Sequence, residues 1–284
     1  MRRFVLCTLS FLLASCATQK VLPEREYFDN GTQAMEEEAF DVAIDQYQKL
    51  LEEYPFSDYT EEAQLKIAYA EYQSERYAEA IASFQDFQRM HPTNPNLPFA
   101  EYYLAMSYMD QMGAKDRDQS ASAQAHAHFQ ALIDRYPESP FAEKAKEKLG
   151  ECRELLAEHE LSVAEFYLHW GNPLGAESRL RHLLRAYPDT ATTAEALLRF
   201  GNYFRKQGDV TRAALAFAAL RQRYPESPLA AEAEAELARL SETEVEGEPL
   251  AALVETLGRP SASVQPVPPE DRPSAAAPVA GEPG

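Results

Sequence analysis

Between about residues 27 and 240, apolar positions recur at intervals of three and four, the spacing of one helix face, and not at the interval of two that marks a strand. One block returns five times. It reads Phe40, Ala43, Tyr47 and Leu50, then Tyr77, Ala80, Phe84 and Phe87, then Ala125, Phe129 and Leu132, then Ala176, Leu180 and Leu183, and finally Ala213, Phe217 and Leu220. Each block runs into Tyr-Pro or His-Pro, at Pro55, Pro92, Pro137, Pro188 and Pro225. Proline has no N–H to donate and crowds the turn before it, so each of these marks a helix end. The pattern predicts an all-α chain of tandem helix pairs.

The first unit fits the tetratricopeptide pattern, with Tyr27, Gly31 and Ala34 on one helix and Phe40, Ala43, Tyr47 and Leu50 on the next. Gly31 and Ala43 are small where the two helices approach closely, and large side chains at both would force the pair apart. The expected fold is a tetratricopeptide-like helical repeat solenoid of about five helix pairs over residues 27–240. Successive prolines lie 37, 45, 51 and 37 residues apart (55, 92, 137, 188 and 225), against about 34 for a plain repeat. In the third unit the excess falls in a polar loop, Met112 to Asp118. In the fourth it predicts one long helix from Ser139-Pro140, as N-cap and first-turn proline, to Gly171. Ser227-Pro228 repeats that start. Residues 241–284 turn to Pro, Ala and Glu and read as a disordered tail. Within it, Leu250, Leu253, Val254 and Leu257 share one helical face, which predicts a short helix over 250–257 docked on the last repeat or offered to a partner.

The N-terminus sets the compartment. Arg2 and Arg3 precede an apolar run from Phe4 to Leu13 and the small residues Ala14 and Ser15, which reads as a signal peptide over 1–15. The run is about half the roughly 20 residues that span a bilayer. Leu13-Ala14-Ser15-Cys16 resembles the bacterial lipobox, which implies that Cys16 becomes an acylated N-terminus followed by a polar tether over 16–26. The alternative is an ordinary signal peptide with a coincidental cysteine. Ala17, where inner-membrane retention is associated with Asp, favours the periplasmic face of the outer membrane. Cys152 is then the one thiol left in an oxidising compartment, placed as a buried small hydrophobe.

The formal net charge is −19, which excludes nucleic acid as the main partner. From Glu24 to Asp110 there are 19 acidic and 5 basic side chains, and from Gly171 to Tyr224 there are 4 and 9, a difference that points to separate partners for the two ends. The six histidines make no His-Glu-x-x-His pattern, and no glycine-rich phosphate loop occurs. No metal, cofactor or catalytic constellation is expected. Aromatic and thioether side chains on the first helices of the units, Phe28, Met35, Tyr69, Tyr72, Tyr102 and Tyr103, are candidates for an apolar groove that receives an extended guest, or else pack between helices.

Several strings lie outside the generic repeat pattern: Tyr54-Pro55-Phe56, His91-Pro92-Thr93-Asn94-Pro95-Asn96, Asp116-Arg117-Asp118, the run from Leu156 to Tyr167, and Tyr187-Pro188-Asp189-Thr190. In them the chain resembles the BamD family, the tetratricopeptide lipoproteins of the outer-membrane β-barrel assembly machinery. The resemblance implies a lipid-anchored scaffold whose N-terminal repeats engage targeting segments of unfolded outer-membrane proteins. Its C-terminal repeats would hold the barrel-inserting BamA protein, with Arg179 as a contact, alongside other subunits of the complex. The long tail departs from the family, so the resemblance assigns it no role. A pilotin-like or cell-envelope scaffold for a secretin or peptidoglycan machine is the alternative.

Overall fold

The computed structural model describes residues 21–240 and 247–259, so Cys16 and most of the tail lie outside the described residues. Among the described residues there are twelve α-helices and no strands, arranged in two compact units. The first holds α1 (Glu24–Glu36), α2 (Phe40–Glu53), α3 (Thr60–Gln73) and α4 (Tyr77–Met90). The second holds α5 (Leu97–Met109), α6 (Ser120–Arg135), α7 (Pro140–His169), α8 (Pro173–Ala186), α9 (Ala191–Lys206), α10 (Val210–Arg223), α11 (Ala230–Arg239) and α12 (Pro249–Thr256).

The repeated block marks the second helix of each of five pairs, and its small residues Ala43, Ala80, Ala125, Ala176 and Ala213 are all fully buried. Opposite them stand small residues of the first helix. A Cβ on Gly31 would lie 2.6 Å from the Tyr47 ring, and one on Gly201 would lie 2.5 Å from the Phe217 ring. Ala68 and Ala164 precede Phe84 and Leu180 by the same sixteen residues and are fully buried too. The close approach of the two helices is therefore one packing solution used four times.

The turn between paired helices is also shared. Glu38, Glu75, Gly171 and Gly208 all take left-handed backbone, with φ of 57°, 61°, 68° and 78°. In each, the next N–H reaches back five residues: Ala39 to the Ala34 carbonyl, Arg76 to Glu71, Asn172 to Tyr167 and Asp209 to Phe204. This closure satisfies carbonyls that the helix end would otherwise orphan.

The long fourth-unit helix forms as the proline-free stretch requires. Ser139 Oγ accepts from the Phe141 N–H at 3.2 Å, Pro140 opens α7, and Gly171 follows its end. Two boundaries differ from the sequence reading. The tether ends earlier than residue 26, because α1 starts at Glu24 and Leu22 is already pinned, its carbonyl accepting from the Tyr54 hydroxyl at 2.9 Å. At Ser227-Pro228 the same Ser-Pro turn forms, with Ser227 Oγ accepting from the Leu229 N–H, but α11 begins only at Ala230.

α12 packs on α8 and α10, the second helices of the fourth and fifth pairs, and α11 covers α10 separately. Leu250, Leu253, Val254 and Leu257 are buried in the same core as Leu180, Leu184 and Phe217. Burial at about 1.5–3 kcal/mol per side chain holds a helix too short to persist alone. Its C-terminal end is clasped by buried charges. Arg212 Nη2 donates to the Thr256 and Arg259 carbonyls at 2.9 and 2.7 Å, and Nη1 to Glu177 Oε1 at 3.0 Å. Glu177 Oε2 accepts from the Gly258 N–H at 2.7 Å.

Cys152 sits wholly inside the core formed by α5, α6 and α7, and burial pushes its thiol up to about 12. The folded protein is expected to present roughly a thousandfold less thiolate at this position than an ordinary cysteine. Iodoacetamide at pH 8 should modify it only after denaturation, as read by mass spectrometry. Modification at the same rate in buffer and in guanidinium would contradict the burial.

Candidate partner-binding surfaces

Four of the groove candidates lie in the first unit. On α1, Phe28 is half-buried and stacks on Tyr59, ring centres 4.7 Å apart at 24°, with Lys66 Nζ 5.8 Å from its centre. Met35, the second-to-last residue of α1, is half-buried against the same core. On α3, the Tyr69 and Tyr72 rings lie 6.4 Å apart at 20°, each half-buried, and Gln73 donates to the Tyr69 hydroxyl at 3.0 Å. Glu71, between them in sequence, faces inward at 9% exposure; burial raises its pKa, while Ser83 and Arg76 pull the other way. This side of α3 presents flat aromatic surface over a fixed interior.

The two tyrosines of α5 separate. Tyr102, at 9% exposure, packs on Phe129 and Phe141 with ring centres at 5.9 and 5.4 Å, and burial raises the pKa of its hydroxyl. It is a wall of the core, the packing between helices that the sequence left open as the alternative to the groove. Tyr103 stays half-buried against Phe99 at 4.6 Å. Successive residues on a helix point about 100° apart, so two adjacent tyrosines meet different surroundings, and here Tyr102 is the one turned inward.

Arg179 on α8 is held by α7. Its Nη1 lies 3.3 Å from both carboxylate oxygens of Glu160, whose side chain is 11% exposed, and His182 Nε2 is 3.9 Å from the same group. The Arg179 side chain keeps 42% of its surface in solvent. A buried carboxylate thus aims a guanidinium outward, which fixes its planar fork at little further entropic cost on binding.

Other surfaces were less legible. Phe166, Trp170 and Leu174 are 58%, 62% and 54% exposed, and Phe56 is 98% exposed. Phe166 near the end of α7 and Trp170 just past it are four apart, rings 6.0 Å apart, and no Asp, Glu, Lys or Arg occurs from 166 to 175. That uncharged run was the available signal. Among the histidines, His128 is neither free nor grouped for a metal: its Nδ1 lies 2.8 Å from the buried Glu101, and its ring stacks on Tyr108. No group of three or more metal-ligating side chains exists among the described residues.

Two strings outside the repeat pattern meet in space, since His159 Nδ1 donates to the Lys115 carbonyl at 2.6 Å and so moors the 112–118 loop on α7. Paired helices with shared turns and half-buried aromatic faces define a tetratricopeptide-type scaffold. A family model described as tetratricopeptide repeat matches residues 195–227, and one described as outer membrane lipoprotein matches residues 21–208. Outer membrane protein assembly factor BamD of Xylella fastidiosa (strain 9a5c) is 30% identical over 235 residues, covering 79% of this chain and 80% of that protein. BamD of Vibrio cholerae is 29% identical over 205 residues, covering 68% and 85%. BamD of Neisseria meningitidis serogroup A is 25% identical over 241 residues, covering 78% and 90%. The chain belongs to the BamD family of outer membrane protein assembly factors. It is a scaffold of the outer-membrane assembly machinery, and its place is at the outer membrane.

Proposed function

We propose that the scaffold is moored to the periplasmic face of the outer membrane through acyl chains on Cys16 and works without covalent chemistry, by holding two partners at once. The basic C-terminal repeats contact a BamA-like insertase around Arg179. The first unit, through Phe28, Met35, Tyr69 and Tyr72, lends apolar cover to the aromatic-ended targeting segment of an unfolded outer-membrane protein, with Tyr103 of α5 as a further contact. Each aromatic contact is worth about 1.5–3 kcal/mol, so capture needs several of them and the high local concentration that a common anchor creates.

The observation that carries this reading is the Arg179 guanidinium, oriented by the buried Glu160 yet 42% exposed. The pair with Glu160 engages only Nη1, which leaves the other donors of the planar fork for a partner. Purification of the lipidated protein from detergent-solubilised membranes tests it. Wild type should retain a BamA-like protein and Arg179→Glu should lose most of it, while circular dichroism stays unchanged. In parallel, a peptide with alternating apolar residues and a terminal Phe should bind wild type and lose at least about tenfold in affinity to the Tyr69→Ala, Tyr72→Ala double variant. Equal retention by Arg179→Glu rejects the insertase contact, and equal peptide affinity rejects the aromatic face.

A further inference from the structure

The five repeats share a Tyr-Pro or His-Pro turn, and the residue after the proline is polar in four of them: Thr93, Glu138, Asp189 and Glu226. In the first it is Phe56, 98% exposed. The turn does not need this ring. It is fastened by other groups: the Tyr54 hydroxyl on the Leu22 carbonyl at 2.9 Å, the Ser57 N–H on the Tyr54 carbonyl at 3.1 Å, and the Tyr59 N–H on Ser57 Oγ at 3.1 Å. Beyond it, Tyr59 stacks on Phe28 at 4.7 Å. Fastened on both sides, the turn carries a large apolar side chain into water on a fixed backbone, which lowers the cost of inserting it into something else. Aromatic residues in that state are the anchors that dominate protein interfaces.

The surroundings specify the other side. Glu52, Glu53 and Asp58 flank Phe56 in the chain, all are exposed, and none of their carboxylates takes part in a hydrogen bond or ion pair among the described residues. Three unneutralised carboxylates within four residues of one aromatic side chain oppose insertion into lipid, where they would have to shed water. They complement a basic rim. An extended client segment has no pocket to receive a protruding ring.

We propose that the Pro55–Asp58 turn is a docking knob for a folded protein domain that offers a Phe-sized apolar pocket rimmed by lysine and arginine. This contact is additional to the two partner surfaces above and does not depend on Tyr69, Tyr72 or Arg179.

Photo-crosslinking tests it, with benzoylphenylalanine at position 56 of the full-length membrane-attached protein in cells and adducts identified by mass spectrometry. The crosslinked domain is then purified and titrated against wild type, Phe56→Ala, and the Glu52→Gln, Glu53→Gln, Asp58→Asn triple variant. The expected adduct maps to a folded domain with basic residues around an apolar depression. Phe56→Ala should weaken its binding at least about tenfold. The triple variant should lose the salt dependence of association. Because the ring is almost wholly in solvent, Phe56→Ala should melt like wild type, which separates docking from folding. Adducts with lipid alone, adducts with unfolded chains alone, no adduct, or a domain that binds Phe56→Ala as tightly as wild type would each overturn the proposal.

Discussion

Replacing Arg212 by alanine is expected to cost about 3–5 kcal/mol of stability and to free α12 from the body of the protein. Arg212 and Glu177 side chains are each 7% exposed, so the variant strands a buried carboxylate without its cation. It also removes the side-chain donor to the Thr256 and Arg259 carbonyls. The apolar face of α12 alone, four side chains on an eight-residue helix, has to hold against the entropy of an untethered end. Urea unfolding measures the loss, and hydrogen exchange over residues 249–257 measures the release. Asp209, 8% exposed and 3.5 Å from Arg212 Nε, loses the same cation, so the Arg212→Met, Glu177→Leu, Asp209→Asn triple variant should recover much of the stability, because none of the three buried charges is then left. A cost under about 1 kcal/mol for Arg212→Ala, or unchanged protection of α12, would show that the clasp is decorative.

The same chemical change at two glycines is expected to have opposite signs. Gly201→Ala puts a methyl group 2.5 Å from a Phe217 ring that is fully buried and has nowhere to move. Overpacking should outweigh the gain in helix propensity and leave a net loss of about 1–3 kcal/mol. Gly150→Ala, in the middle of α7 with no atom within 4 Å of the new methyl, should gain up to about 1 kcal/mol. Paired denaturation curves decide it. A stabilised Gly201→Ala would mean that the helix pair can open at this point, against the packing argument built on it.

What could be seen in the chain beforehand follows from which residues report locally. The small residues facing large rings, the terminating prolines and the proline-free stretch of α7 are all local statements, and the structure realises each of them. The left-handed turns had a local signal only at the glycines, Gly171 and Gly208, because glutamate at Glu38 and Glu75 gives no hint of a positive φ that glycine would advertise. Arg212 looks like any solvated charge on a helix; its partner Glu177 is 35 residues away, and only the folded chain brings them together. Tyr102 and Tyr103 differ by a single step of register, which decides core against surface and which periodicity reads only to within a residue. Phe56 follows a proline in a turn, where sequence patterns anticipate neither burial nor exposure.

The 30 residues of α7 bear on how the second unit comes apart. Linear repeat arrays ordinarily fray from their ends, each unit leaning only on the next. Here one rod packs against α5, α6, α8 and α9, its Glu154 carboxylate accepts from the Ala191 and Thr192 N–H groups at the start of α9, and its His159 grips the loop before α6. Breaking that rod anywhere withdraws support from three neighbouring pairs together. The region from α5 to α10 should consequently melt in a single step, and protease cleavage inside 140–170 should leave no folded fragment of it behind.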